Sequence, residues 1–283
     1  MEHILRRTTL VTDFDNTLYD WFQMWHQSFT AMLREIVRIS GIPEVELLPE
    51  IRVIHQRYGT SEYAFLIENM PSLRRRYPSG SLNAIFDSAI HAYRSARISN
   101  LKLYDGVRNT LIDLRARGIL IVLYTDSLAF YTSDRVRRLD LDSLVDFLFS
   151  PPDHEIPGSM IRHTERDHYR LMHAKHLHLP EGVIKPNPEV LLDIVRDIGR
   201  TANECVYLGD SKMKDIAMAQ DAGILDVHAR YGVVQDHPGY PLLRDVSHWT
   251  DADVKREKEI ADRVVQPTHT ISKFSEIETF FGG

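Results

Sequence analysis

The stretch Thr9-Leu-Val-Thr-Asp-Phe-Asp-Asn-Thr-Leu-Tyr19 anchors the reading of the whole chain. Leu10 and Val11, flanked by Thr9 and Thr12, have the β-branched and apolar character of a buried strand. Asp13, Asp15 and Asn16 are poor strand formers, so the strand closes on two carboxylates spaced i, i+2. In an open parallel α/β sheet, that C-terminal edge is where ligands bind. Taken alone, the stretch reads equally well as an acidic turn that ends a strand. It is not an EF-hand loop, which needs Gly at its sixth position and Glu at its twelfth. Those positions hold Leu18 and Met24.

Three later stretches supply partners for the acids, in order. Ile119-Leu-Ile-Val-Leu-Tyr-Thr125-Asp126-Ser127 is an apolar run that ends in a hydroxyl residue. Val183-Ile-Lys185-Pro-Asn-Pro-Glu189 places a lysine just before a Pro-started helix. Cys205-Val-Tyr-Leu-Gly209-Asp210 is another apolar run, closing on Gly-Asp with Asp215 five residues further on. Each motif is weak by itself. Together, in this order across some two hundred residues, they resemble the four-motif pattern of the haloacid dehalogenase-like superfamily, in its phosphatase branch.

The resemblance implies an α/β fold: a Rossmann-like three-layer sandwich with a parallel sheet, plus an inserted all-helical cap domain of type one. It implies a catalytic core at 1-19 and 101-283 and a cap at 20-100, and is silent on two stretches of the core read as insertions, about 151-182 and 233-266. It also implies roles. Asp13 would be the nucleophile, forming an aspartyl-phosphate, and Asp15 the general acid and then the base. Thr125, the backbone near Asp126, and Lys185 would hold the substrate phosphate. A Mg²⁺ ion would be bound by Asp13, Asp210 and the main-chain carbonyl of Asp15, with Asp215 acting through a water or behind the direct ligands. The spacing from Asp210 to Asp215 is one residue longer than the shortest family version.

Composition limits the alternatives. Of 283 residues, 43% are hydrophobic and 26% charged, as in an ordinary globular protein. A net charge of −6 argues against a general nucleic-acid binder but not against a small phosphorylated metabolite. The lone cysteine, Cys205, permits no internal disulfide. It sits in an apolar run and reads as core rather than as a nucleophile. With no apolar stretch long enough for a bilayer and no signal-like N-terminus, the expected location is cytoplasmic and off the membrane. Oligomeric state is not legible.

Along the chain, Trp21, Trp25, Phe29, Met32 and Ile36 repeat at helical spacing, and Gly41-Ile-Pro43 ends that helix. Further helices are expected around Glu44–Tyr58, Ser61–Asn69 and Leu82–Arg97, separated by Gly59, Pro71 and Pro78-Ser-Gly80. The detour 151-182 reads as a His-rich helical piece with His163, His168, His173, His176 and His178. Its spacing matches no closed zinc pattern, so these are surface or packing histidines. In 233-266, Thr250 and Asp253 resemble a capping box ahead of a charged helix that runs through Val264. Arg74, Arg75 and Arg76 read as a solvated face, and Trp21 and Phe22 as packing of the first helix.

The expected function is a Mg²⁺-dependent phosphatase acting on a small phosphomonoester. A dehalogenase is disfavoured because that branch lacks the second acid, here Asp15. A phosphomutase or phosphotransferase would use the same residues with a different acceptor. A non-catalytic binding or regulatory protein would be marked by loss of Asp13, Asp15, Lys185 or Asp210, and all four are present.

Overall fold

In the computed structural model, which describes residues 7–153, 170–250, 255 and 265–282, Thr9–Thr12 forms the central strand β1. Six further strands follow in the chain: β2 (Leu120–Tyr124), β3 (Phe147–Ser150), β4 (Lys175–His178), β5 (Cys205–Gly209), β6 (Leu225–Ala229) and β7 (His269–Ile271). Among the described residues they form one sheet in the order β4-β3-β2-β1-β5-β6-β7, with every neighbouring pair parallel. The chain moves outward from β1 through β2 to β4, then returns to pair β5 on the other side of β1. The strand order therefore reverses at β1, which opens a crevice at the C-terminal ends of β1, β2 and β5.

Alternation along the strands sends side chains to both faces. Val11, Val122, Tyr124, Cys205 and Tyr207 pack under the helices Pro188–Asp197 and Ala217–Asp221, against Leu191, Ile194 and Met218. Leu10, Ile121, Leu123, Val206 and Leu208 point the other way and are equally buried. On that side the helix Val107–Ala116 lies against β2 and the C-terminal turns Phe274–Phe281. Burial of each such side chain contributes roughly 2 kcal/mol, which explains strands that are apolar nearly throughout.

The expectation of a His-rich helix before Gly182 is corrected: Lys175–His178 is the edge strand β4. An edge strand tolerates polar residues because only one side is paired. His176 Nδ1 lies 3.1 Å from Ser133 Oγ and Nε2 2.8 Å from Ser150 Oγ, so both ring nitrogens are occupied. His163 and His168 lie outside the described residues.

The described residues divide into two compact units. One holds the sheet: 7–20, 102–153, 170–233 and 265–282. The other holds 21–101 with 234–250 and 255. In the second unit the helices Trp21–Ser40 and Asp87–Asn100 pack together, with Glu44–Tyr58 and the short helices Leu66–Asn69, Pro71–Arg76 and Leu82–Ile85 around them. The expected helix Ser61–Asn69 is reduced to its last turn, and Leu82–Arg97 breaks at Phe86. Pro71, read as a separator, starts a helix, because its missing N–H costs nothing at the first position. Phe22 is buried in this core, and Trp21 donates its indole N–H to Glu62 (2.9 Å). Arg74 and Arg75 bind Glu68 and Glu50 at the surface.

The segment expected as a core insertion at 233-266 is also corrected. Its described part, 234–250, groups with the helical unit, where the helix Tyr240–Val246 buries Val246 beside Glu44–Tyr58. His55 Nδ1 reaches the Val246 carbonyl at 2.6 Å. Asp253 and most of the expected charged helix lie outside the described residues. Among the described residues, no helix is long and apolar enough to cross a membrane.

Candidate active site

The site forms where β1, β2 and β5 end. Asn16 takes a left-handed backbone (φ 57), which a short polar side chain tolerates, and the chain folds back so that Leu18 N–H donates to Phe14 carbonyl (3.0 Å). Asp13 is pinned to β5 by its N–H on the Leu208 carbonyl (2.8 Å). Lys185 arrives from the loop before the helix Pro188–Asp197, whose start Asn187 caps by accepting the Val190 N–H at 3.1 Å.

The lysine brings two distant acids together. Lys185 Nζ lies 2.5 Å from Asp13 Oδ1 and 2.8 Å from Asp215 Oδ1. Tyr207 OH donates to Asp215 Oδ1 (2.9 Å) and accepts from Lys185 Nζ (3.2 Å), and Ser211 N–H holds Asp215 Oδ2 at 3.0 Å. Both Asp215 oxygens are thus engaged. Asp215 can approach β5 only because residue 209 is glycine, where a Cβ would lie 2.3 Å from the Asp215 carboxyl carbon. Asp13, Asp210 and Asp215 each offer one oxygen, all within 4.8 Å of one another. Asp210 Oδ1 accepts from Thr17 Oγ1 (3.3 Å), and its carbonyl accepts from His228 Nε2 (3.0 Å).

Burial and like charge set the electrostatics. Burial, with Asp215 and Asp15 nearby, pushes Asp13 up to about 7 despite the pull of Lys185. Burial and the neighbouring Asp13 and Asp215 carry Asp210 well above the usual carboxylate range. Burial alone would lower the Lys185 ammonium, but Asp13 and Asp215 hold it well above the ordinary lysine range. Three acids are therefore crowded into one buried site, with the Lys185 ammonium bridging Asp13 and Asp215. Three clustered carboxylate oxygens are a donor set suited to a hard divalent cation.

Asp15 stands apart from that trio. Tyr19 OH donates to its Oδ1 and Ser127 Oγ to its Oδ2, while Arg135 Nη1 lies 3.5 Å from Oδ1. Thr125 Oγ1 accepts the Ser127 N–H (3.1 Å), which leaves its own proton for another acceptor. The Asp126 carboxylate accepts the Lys185 N–H (2.9 Å) and the Lys214 ammonium (2.8 Å), so its side chain braces the lysine loop. Burial would raise the Asp126 carboxyl, but Lys214 and Lys185 hold it below its usual range. Cys205 is buried and its thiol is pushed up to about 12, the behaviour of an inert core thiol.

Tyr19, Ser127, Arg135, Tyr207 and Lys214 were not singled out from the sequence. Ser127 adjoins the Thr125-Asp126 strand end and could have been. Arg135 and Tyr207 carried no local signal.

A family model described as haloacid dehalogenase-like hydrolase matches residues 8–223. A protein of Methanopyrus kandleri named glyceraldehyde 3-phosphate phosphatase is 25% identical over 255 residues, covering 89% of this chain and 94% of its own. A protein of the same name from Pyrococcus abyssi is 25% identical over 222 residues, covering 78% and 80%. The fold is similar to the crystal structure of a HAD phosphatase from Thermococcus onnurineus, with TM-score 0.54, 16% identity and 98% of both chains covered. It is also similar to a 2-haloacid dehalogenase from Pseudomonas syringae pv. Tomato, with TM-score 0.53, 18% identity and 97% of both covered. With its strand-end acids on one parallel sheet and most of its length within the family pattern, the chain belongs to the haloacid dehalogenase-like hydrolases.

Proposed function

We propose that the protein is a Mg²⁺-dependent phosphatase that hydrolyses a small phosphomonoester through an aspartyl-phosphate on Asp13. The observation that carries this reading is the Lys185 ammonium on Asp13 Oδ1, inside a cluster of acids at the C-terminal edge of β1. Such a site needs a nucleophile, a fixed positive charge for phosphate oxygens, and a proton for the leaving oxygen.

Asp13 Oδ attacks phosphorus while the bond to the leaving oxygen breaks, and Asp15 gives that oxygen its proton, releasing an alcohol. A water then loses a proton to Asp15 and attacks the same phosphorus, freeing the Asp13 carboxylate and inorganic phosphate. Lys185 orients Asp13 and binds a phosphate oxygen, and the Thr125 hydroxyl donates to another. Bound Mg²⁺, held by Asp13, Asp210 and the Asp15 carbonyl, would offset the negative charge shared by acids and phosphate. With both its oxygens taken, Asp215 serves behind those ligands as an anchor for Lys185.

The helical unit inserted after β1 is proposed to be the substrate-selecting cap, and the single buried cysteine is compatible with a reducing, cytoplasmic setting. The names of the curated relatives make glyceraldehyde 3-phosphate the first substrate to try. The test is release of inorganic phosphate from that ester and from p-nitrophenyl phosphate, with Mg²⁺ and with chelator, beside Asp13→Asn. Metal-dependent release that vanishes in the variant supports the reading. Phosphoryl transfer to a second alcohol without phosphate release would replace it with a transferase or mutase.

A further inference from the structure

Arg135 is a cation almost wholly removed from water, with its side chain 2% exposed, inside the helix Ala129–Arg138. A buried guanidinium is costly unless it is paired and hydrogen-bonded. Its Nη1 lies 3.3 Å from Ser127 Oγ and 3.5 Å from Asp15 Oδ1. Its central carbon lies 5.8 Å from the Tyr19 ring centre and 5.5 Å from that of Tyr131. Ser127 and Tyr19 in turn donate to the two oxygens of Asp15. One guanidinium thus meets the Asp15 carboxylate, the Ser127 hydroxyl that grips it, and the ring of Tyr19, whose hydroxyl grips it from the other side. Thr132 Oγ1, on the Ser127 carbonyl at 3.0 Å, fixes the loop to the same helix.

From this geometry we propose that Arg135, acting through Ser127 and Tyr19, is the positioning residue for Asp15, holding its carboxyl in the one orientation from which it serves the leaving oxygen. This rests on the phosphatase reading above and assigns Arg135 no contact with substrate. A purely structural ion pair would stabilise the helix without caring which ester is cleaved. A positioning residue acts only where Asp15 acts, because misplacing a catalytic group lowers the rate of its own step. Esters that leave as poor alkoxides need the proton, whereas p-nitrophenolate departs without it.

The experiment compares wild type, Arg135→Met, Arg135→Lys and Ser127→Ala on an alkyl phosphate and on p-nitrophenyl phosphate. Each variant is also made in an Asp15→Asn background, and folding is checked by circular dichroism. Arg135→Met is expected to lower kcat/KM on the alkyl ester by about 10–100-fold, a ratio that reads the steps through leaving-group departure and not the later attack of water. The loss on the aryl ester should be several-fold smaller, KM should change little, and Arg135→Lys should recover part of the loss. Ser127→Ala, a small change that leaves Arg135 in place, should show the same leaving-group bias even if Arg135→Met does not fold. In the Asp15→Asn background neither substitution should add a further loss. Equal losses in kcat/KM on both esters, or losses that multiply with Asp15→Asn, would overturn the proposal while the phosphatase reading stands. A wild type that hydrolyses no phosphomonoester would overturn both.

Discussion

Lys185 Nζ lies 2.5 Å from Asp13 Oδ1, although 172 residues separate the two in the chain. The lysine is the only cation shown hydrogen-bonded to the Asp13–Asp215 pair among the described residues, and it is itself buried. Its removal leaves two carboxylates facing each other without a counter-charge. Breaking a buried pair by deleting one partner costs about 3–5 kcal/mol. Lys185→Met should therefore lose turnover and unfold at lower temperature in chelator, with Mg²⁺ restoring part of the melting temperature. Asp13→Asn should also lose turnover but keep a melting temperature close to wild type, because it removes a charge that the cluster already opposes. Thermal melts of the two variants with and without Mg²⁺ separate these outcomes.

Cation binding should compete with a proton. Asp13 sits near 7 through burial and its acidic neighbours, so at pH 6 its protonated form predominates, and a metal ligand must be deprotonated. Mg²⁺ affinity is expected to rise between pH 6 and 8, with up to about one proton released per ion from Asp13 at the acid end. Calorimetric titration in two buffers of different ionisation enthalpy counts those protons. A release of zero at pH 6 would contradict the assignment of Asp13 as a ligand.

Gly232, which closes the turn Arg230–Gly232 after β6, presses on the site loop. A Cβ there would lie 1.9 Å from the Asn16 carbonyl oxygen and 2.8 Å from Asp210 Cβ. Neither neighbour is the flexible end of a long side chain, so backbone must move. Gly232→Ala is expected to cost about 1–3 kcal/mol of stability. It should also lower kcat more than its stability loss explains, because the displaced loops carry Asp15 and Asp210. Urea unfolding paired with initial rates on folded protein checks both.

Acid should weaken the helical unit through His55. Burial lowers this imidazole to about 4, against the pull of its bond to the Val246 carbonyl. Between about 4 and 6.5 the unfolded chain binds a proton that the folded unit resists, so stability is retained above the unfolded value and lost as pH falls through that window. The gap corresponds to about 3 kcal/mol at its fullest. His55→Gln should flatten the dependence of urea unfolding on pH between 7 and 4.5. His176, lowered to about 4 by burial and by His178, adds a slope of the same sign from the sheet unit, which the variant leaves in place.

The amino-acid sequence alone marked the strand ends that carry Asp13, Asp15, Thr125 and Asp210, and the Pro-started helix that Lys185 precedes. Those features are local: an apolar run stopped by acids, a hydroxyl or Gly-Asp announces itself within a few residues. The same local logic placed a helical insert after β1 and made Cys205 a core residue. Only the tertiary structure decided what converges on the acids. Arg135 looks like any solvated helix arginine until the helix Ala129–Arg138 is laid against the β1 loop. Tyr207 looks like part of an apolar strand until β5 aligns it with Lys185 and Asp215. The edge strand Lys175–His178 was misread because its polar side chains hide a pairing that exists only beside β3. The segment 234–250 was misplaced because Val246 gains its apolar surroundings from helices two hundred residues earlier. Strand ends are written in neighbouring residues, whereas second partners are set by register and packing between distant ones, and no local pattern encodes those.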